Sequence, residues 1–175
     1  MNTEQGFGIW ITGVPSAGKS TITRCLVELL GKRGIRPVVL ESDALRKVLT
    51  PEPTYAPDER DRFYQQMAEL GALISRCGVP VIFDATANRR TYRDAGRSLI
   101  PHFLEVVVQC PLDECRKRDP KGIYTAAARG SASNVPGIQA PYEAPHAPDV
   151  SLDGRDDPAD NAGRIMGQLI LRGYI

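Results

Sequence analysis

The sequence predicts an α/β fold, a mainly parallel five-stranded sheet with helices on both faces, on three observations. The segment Gly13 to Thr21, GVPSAGKST, has the P-loop pattern GxxxxGK[ST] and follows an apolar run, Phe7 to Thr12, that reads as a buried strand. Short apolar runs then alternate with longer segments of helical period, the order that covers both faces of a parallel sheet. Acidic residues stand where two of those runs end, at Glu41 and Asp43 and at Asp84, which is the edge where doubly wound sheets build their sites.

In the loop, glycines let backbone N–H groups approach an anion closely, and the helix that follows points its N-terminus at it. Gly13, Ser16, Ala17 and Gly18 form the cradle of a phosphate site, Lys19 reaches the terminal phosphates, Ser20 is placed to ligate Mg²⁺, and Thr21 assists at the helix start. Ile22, Cys25, Leu26, Leu29 and Leu30 recur at helical spacing, with Gly31 and Gly34 as stop signals. Pro37 opens a second strand, Val38 to Leu40, followed by a short helix from Ala44 to Leu49. After Asp58 and Glu59, the residues Phe63, Met67, Leu70, Ile74 and Cys77 alternate steps of four and three, which predicts a long helix with one buried stripe, ended by Gly78. Val79 to Phe83 reads as a third strand, Thr91 to Leu99 as a helix and Phe103 to Gln109 as a fourth strand. The stretch from about Pro111 to Pro148 is rich in Gly, Ala, Ser and Pro and carries Arg116, Lys117, Arg118 and Lys121 at its root. It is expected to be a long, mobile lid that closes over phosphates. Val150 to Leu152 gives a short fifth strand and Asp157 to Leu171 the closing helix.

A chain of 175 residues suits one domain, 1–175, and shows neither repeat nor linker. With 22 basic against 21 acidic residues there is no polyanion-binding surface, so no nucleic-acid partner is expected. No apolar run approaches the roughly 20 residues that span a bilayer, and MNTEQGFG lacks a basic region followed by an apolar core. No membrane partner and a cytoplasmic location are expected. Cys25, Cys77, Cys110 and Cys115 lack zinc-site spacing and read as reduced, buried or half-buried thiols, with Cys110 and Cys115 as an alternative redox pair.

Several residues have two readings. Asp43 either caps the helix from Ala44 or accepts a proton from a hydroxyl facing the P-loop; Glu41 is a metal-water ligand or a structural carboxylate. Asp84 holds Mg²⁺ through water or caps the next turn. Arg89, Arg90, Arg93 and Arg97 form a solvated helix face, or Arg89 or Arg90 with Arg93 presents planar forks to an anion. Arg116 and Arg118 are surface charges or cations delivered by the lid. Tyr55 packs its loop or stacks on a flat ring, and His102 and His146 have no catalytic neighbours in the sequence.

The P-loop, the segment Asp58 to Arg62, CRKRDPKGIY from Cys115 to Tyr124 and PGIQAPYEAPHAPD from Pro136 to Asp149 together resemble adenylylsulfate kinase. The resemblance covers nearly the whole chain. It implies a P-loop NTPase-type sheet with a mobile lid, ATP and Mg²⁺, a small-molecule nucleotide substrate, and a homodimer. The implied activity is transfer of the γ-phosphate of ATP to the 3′-hydroxyl of adenosine 5′-phosphosulfate. It implies that Asp43 is the base or a metal-water ligand, that Arg46 and Arg60 hold substrate, that Tyr55 stacks on the adenine, that Lys121 contacts phosphates and that Arg118 belongs to the ATP side, with Lys19 catalytic beside them. Glu41, Arg89, Arg93 and Ile138 join the substrate-binding set, and Arg116 the ATP-binding set.

The sequence departs from that pattern at four places. Glu41-Ser42-Asp43 stands for Asp-Gly-Asp, Phe63 for an asparagine, Ala87-Asn88 for Ser-Pro, and Val135 for a second adenine-stacking aromatic. Most of these fall on the acceptor side. The alternatives are therefore a kinase acting on another nucleotide-linked or sugar acceptor, and a nucleotide-binding protein without transfer activity.

Overall fold

The computed structural model describes residues 5–175. The elements in order are β1 (Gly8–Thr12), α1 (Lys19–Gly31), β2 (Val38–Glu41), α2 (Ser42–Leu49), α3 (Pro57–Arg76), β3 (Val81–Asp84), α4 (Arg90–Leu99), β4 (Phe103–Gln109), α5 (Leu112–Arg118), α6 (Ile123–Ala128), β5 (Val150–Asp153) and α7 (Pro158–Leu171). The five strands form one parallel sheet in the order β2-β3-β1-β4-β5.

Strand periodicity divides the core in two. Ile9, Ile11, Ile82, Leu104, Val106 and Val108 point to the layer of α1 and α7, where Leu26, Leu30, Ile165 and Leu169 are buried. Trp10, Val81 and Phe83 point to the opposite layer of α3 and α4, with Phe63, Met67 and Tyr92. Trp10 and Phe83 stack with ring centroids 4.5 Å apart, a pairing of about 0.5–1.5 kcal/mol beyond the area it buries.

Pairing register places the site. Glu41 is level with Asp84, and Asp84 with Ile11, so β2 and β3 deliver their last carboxylates beside the start of the P-loop. Segment 111–148, expected as a long loop, instead carries α5 and α6. The basic cluster Arg116, Lys117 and Arg118 forms the last turn of α5, where cations suit the helix dipole. Asp43 does not cap α2. Glu41 occupies the cap position, without a side-chain bond, and Asp43 lies inside the first turn. Asp157, by contrast, caps α7 by accepting from Ala159 N and Asp160 N.

All four cysteines are free; Cys115 is buried, Cys25 and Cys110 are half-buried, and Cys77 is exposed, against expectation. Burial and the neighbouring Cys110 side chain push the Cys115 thiol up to about 12, which disfavours the reactive thiolate of a redox pair. Among the described residues no helix is long and apolar enough to cross a membrane.

Candidate functional site

A cleft of about 840 Å³ runs along the carboxyl edge of the sheet, from the P-loop past β2 and β3 to the loop before α3. Its size is at the upper end of the range for ligand pockets.

At the P-loop end, Gly13 has φ +151°, and a Cβ there would lie 2.5 Å from the Val108 carbonyl oxygen, so this turn admits only glycine. The Lys19 ammonium donates to the carbonyls of Gly13 at 3.0 Å and Val14 at 2.9 Å. Burial lowers its pKa to about 8, with Asp84 pulling the other way. Gly154, just after β5, packs against the back of the loop: a Cβ there would come within 2.0 Å of the Ala17 carbonyl oxygen. Arg118 donates to the Gly154 carbonyl at 2.8 Å, and its guanidinium hangs beside Gly18. The helix-borne cation and the loop amides therefore face the same space.

In the middle of the cleft lie Glu41, Asp43, Asp84 and Ser20. Burial pushes the Asp84 carboxyl up, against the opposing pull of the Ser20 hydroxyl and the Lys19 charge. A buried carboxylate beside a hydroxyl is a donor pair that suits a hard divalent cation able to recruit further oxygens from water and phosphates. Among the described residues no cluster of three metal-ligating side chains would hold an ion unaided. Lys121 spans the middle from above, 2.6 Å from Asp43 and 3.3 Å from Glu41. Partial burial pulls Lys121 down, yet the bonds and charges of Asp43 and Glu41 outweigh it and hold its pKa above the ordinary value.

Arg46, Tyr55, Arg60 and Val135 gather at the far end. The Arg46 guanidinium lies 3.8 Å above the Phe63 ring centroid and 5.0 Å from that of Tyr55, and donates to Glu59 at 3.0 Å. Phe63 is thus not a wall of the cleft but a buried floor under Arg46. Tyr55 has φ +57°, a left-handed conformation that costs a residue of this kind of order 1–3 kcal/mol and is held from outside. Arg60 donates to the Asn134 carbonyl at 2.7 Å and to Asn88 Oδ1 at 3.5 Å, and Asn88 Nδ2 donates to the Pro141 carbonyl at 3.0 Å. Asn88 therefore ties the Arg60 environment to the segment that closes this end.

Outside the P-loop, four expected residues are not brought to the cleft. Arg93 is fully buried, pairs with Glu105 at 2.6 Å and donates to the carbonyls of Ala87, Arg89 and Glu143. It is an internal cross-link, because a guanidinium this deep satisfies its donors within the protein. Arg89 turns to Asp61 at 2.9 Å, and with Arg90 on Glu143 and Arg97 on Asp149 the arginines of α4 bind neighbouring segments rather than a free anion. Arg116 lies along α5 toward Asp113 at 3.7 Å. Ile138 lines a separate groove on the other side of Val14, with Cys110, Leu112 and Tyr142. His102 meets the Tyr174 ring edge to face, away from the cleft.

Sequence reasoning missed Arg24, Thr54, Thr86 and Asn134, which line the cleft, and Glu59, which organises its far end. Arg24 is one turn after Ser20 and follows from helical spacing, whereas Asn134 has no local signal.

The family model described as adenylylsulphate kinase matches residues 5–153. A probable bifunctional SAT/APS kinase of Sorangium cellulosum is 34% identical over 97% of this chain, which spans 29% of that protein. A probable adenylyl-sulfate kinase of Halalkalibacterium halodurans is 37% identical over 93% of this chain and 79% of its own length. Among solved structures, the Mycobacterium tuberculosis APS kinase CysC in complex with AMPPNP and APS superposes with a TM-score of 0.89 at 28% identity, covering 95% of this chain and 98% of that one.

Proposed function

The chain belongs to the adenylylsulphate kinase family, and we propose that it transfers the γ-phosphate of ATP to the 3′-hydroxyl of adenosine 5′-phosphosulfate. One observation carries the reading: a single cleft joins a P-loop to a pair of arginines and an exposed tyrosine, with the carboxylates of Glu41, Asp43 and Asp84 between them. That is the layout needed to hold a polyphosphate at one end and an anionic, ring-bearing alcohol at the other.

In this reading the P-loop amides from Ser16 to Ser20 and the Lys19 ammonium hold the polyphosphate, and Arg118 covers it from α5. Asp43 orients the acceptor hydroxyl and takes its proton, after Lys121 moves from the carboxylate to the phosphates. Arg60 and Arg46 face the acceptor's anionic part, and Tyr55 offers its ring to the base. Ser20 and Asp84 would hold Mg²⁺, which supplies charge neutralisation for the phosphates. Segment 111–148 acts as a lid within a single kinase domain, excluding water while the acceptor is bound.

A second reading keeps the transfer but changes the acceptor, because Val135 offers an aliphatic wall where a second aromatic would stack. A panel of acceptors at fixed ATP separates the two: adenosine 5′-phosphosulfate is expected to be the preferred substrate by kcat/KM. Preference for a sugar or another nucleotide would overturn the first reading.

A further inference from the structure

The far end of the cleft is built around a carboxylate that does not itself face it as a charge. Four donors converge on Glu59: Arg46 Nη1 at 3.0 Å, Thr54 N and Oγ1 each at 2.6 Å, and Tyr55 N at 3.3 Å. Thr54 Oγ1 also accepts from Ala56 N at 3.3 Å, so Thr54 and Tyr55 are tied to the Glu59 side chain directly and Ala56 through Thr54. Glu59 sits in the first turn of α3, whose Phe63 and Met67 are fixed in the core. Beyond this carboxylate, the Tyr55 backbone is held from outside its own segment by one bond, which its carbonyl accepts from Asn134 Nδ2 at 3.3 Å.

We propose that Glu59 is a positioning residue: it locks Arg46 and the loop carrying Tyr55 into one unit on the Phe63 floor, and so presets the geometry of the acceptor end. The claim that this unit grips the acceptor rests on the function proposed above; the claim that Glu59 holds it together does not. A charge asymmetry follows. Glu59 compensates Arg46, whereas Arg60 donates to the neutral oxygens of Asn88 and Asn134 and lies 5.7 Å from the Tyr55 ring centroid, and among the described residues no carboxylate pairs with it. Arg60 is left to supply the net charge for an acceptor anion, with Arg46 a flat, neutralised surface between two rings.

The test uses the full chain and two readouts. Glu59→Gln keeps the shape but turns an acceptor-only group into one that presents a donor to Arg46 or Thr54. Amide exchange at Thr54 and Tyr55, followed by NMR, is expected to rise about tenfold or more without a matching rise in the core strands. The acceptor KM is expected to rise about tenfold with ATP KM unchanged and kcat within about threefold, and Glu59→Asp to recover part of the loss. Thr54→Val, at an exposed position, removes the two bonds of Thr54 Oγ1, to Glu59 and from Ala56 N, while leaving the backbone ties to Glu59, and should raise exchange at Tyr55 to a lesser degree. Wild-type exchange at 54–55 in both Glu59→Gln and Thr54→Val would overturn the proposal, as would a loosened loop with an unchanged acceptor KM. If the wild type fails to use adenosine 5′-phosphosulfate, the proposed function falls, and the exchange measurement alone decides whether Glu59 holds the unit.

Discussion

Lys121 Nζ lies 2.6 Å from Asp43 Oδ2, joining the segment between α5 and α6 to the first turn of α2 across the mouth of the cleft. Both side chains are about half exposed, so the pair adds little to stability, at most about 1 kcal/mol. Its consequence is functional. The carboxylate proposed to prepare the acceptor hydroxyl is occupied by a lysine that has phosphates as an alternative partner.

Asp43→Asn is therefore expected to lower kcat by about 100-fold or more, with ATP affinity within about twofold of wild type. Steady-state kinetics with parallel nucleotide titration measures both. An unchanged kcat would remove Asp43 from the chemical step.

Lys19 gives a pH signature. Its pKa in the folded protein is about 8, below the ordinary 10.5. Between these values the unfolded chain binds more protons than the folded one, so this group makes stability rise with pH from about 8 to about 10.5. A bound polyphosphate favours the charged ammonium. ATP binding at pH 8 should thus take up about half a proton more than in Lys19→Met, read by calorimetry in buffers of different ionisation enthalpy. Equal uptake by the two proteins would contradict the assignment. Lys19→Ala should abolish turnover.

Gly154→Ala tests the support behind the P-loop. The added methyl would meet the Ala17 carbonyl oxygen at 2.0 Å, against backbone that cannot swing away. A loss of about 2–3 kcal/mol by denaturant unfolding and at least tenfold weaker ATP binding are expected. Wild-type values for both would show that the loop does not depend on this contact.

Arg93→Met distinguishes an internal cross-link from a substrate contact. Leaving three carbonyls without the Arg93 donor, and Glu105 with only the longer Arg97 contact at 3.6 Å, should cost about 3 kcal/mol of stability. If a raised acceptor KM were the main effect and stability were intact, the buried role would be wrong.

The strands were legible because parallel strands buried on both faces read as short apolar runs, and the P-loop because its spacing is itself the geometry of the turn. Phe103 to Gln109 was read to the residue. Arg93 was not legible. Four arginines at helical spacing look the same in sequence whether they face an anion or a buried carboxylate, and only the fold sets Glu105 and the Glu143 carbonyl opposite them. The helices α5 and α6 were hidden because Gly, Pro and Ser are scattered through segment 111–148 and interrupt its helical period, although short local runs within it are helical. Glu59 escaped because its partners are a loop and a residue 13 positions away on another helix, contacts with no period to betray them.

The proposed activity is transfer, within one cleft, of a phosphoryl group from ATP to an adenylylsulfate hydroxyl. Its most direct test is incubation of purified protein with Mg²⁺, ATP and adenosine 5′-phosphosulfate, followed by identification of the product and of the position phosphorylated. Acceptor-dependent formation of the 3′-phosphorylated product, lost in Lys19→Ala, is expected. ATP binding without that product, or phosphate appearing only as inorganic phosphate whether or not the acceptor is present, would contradict it.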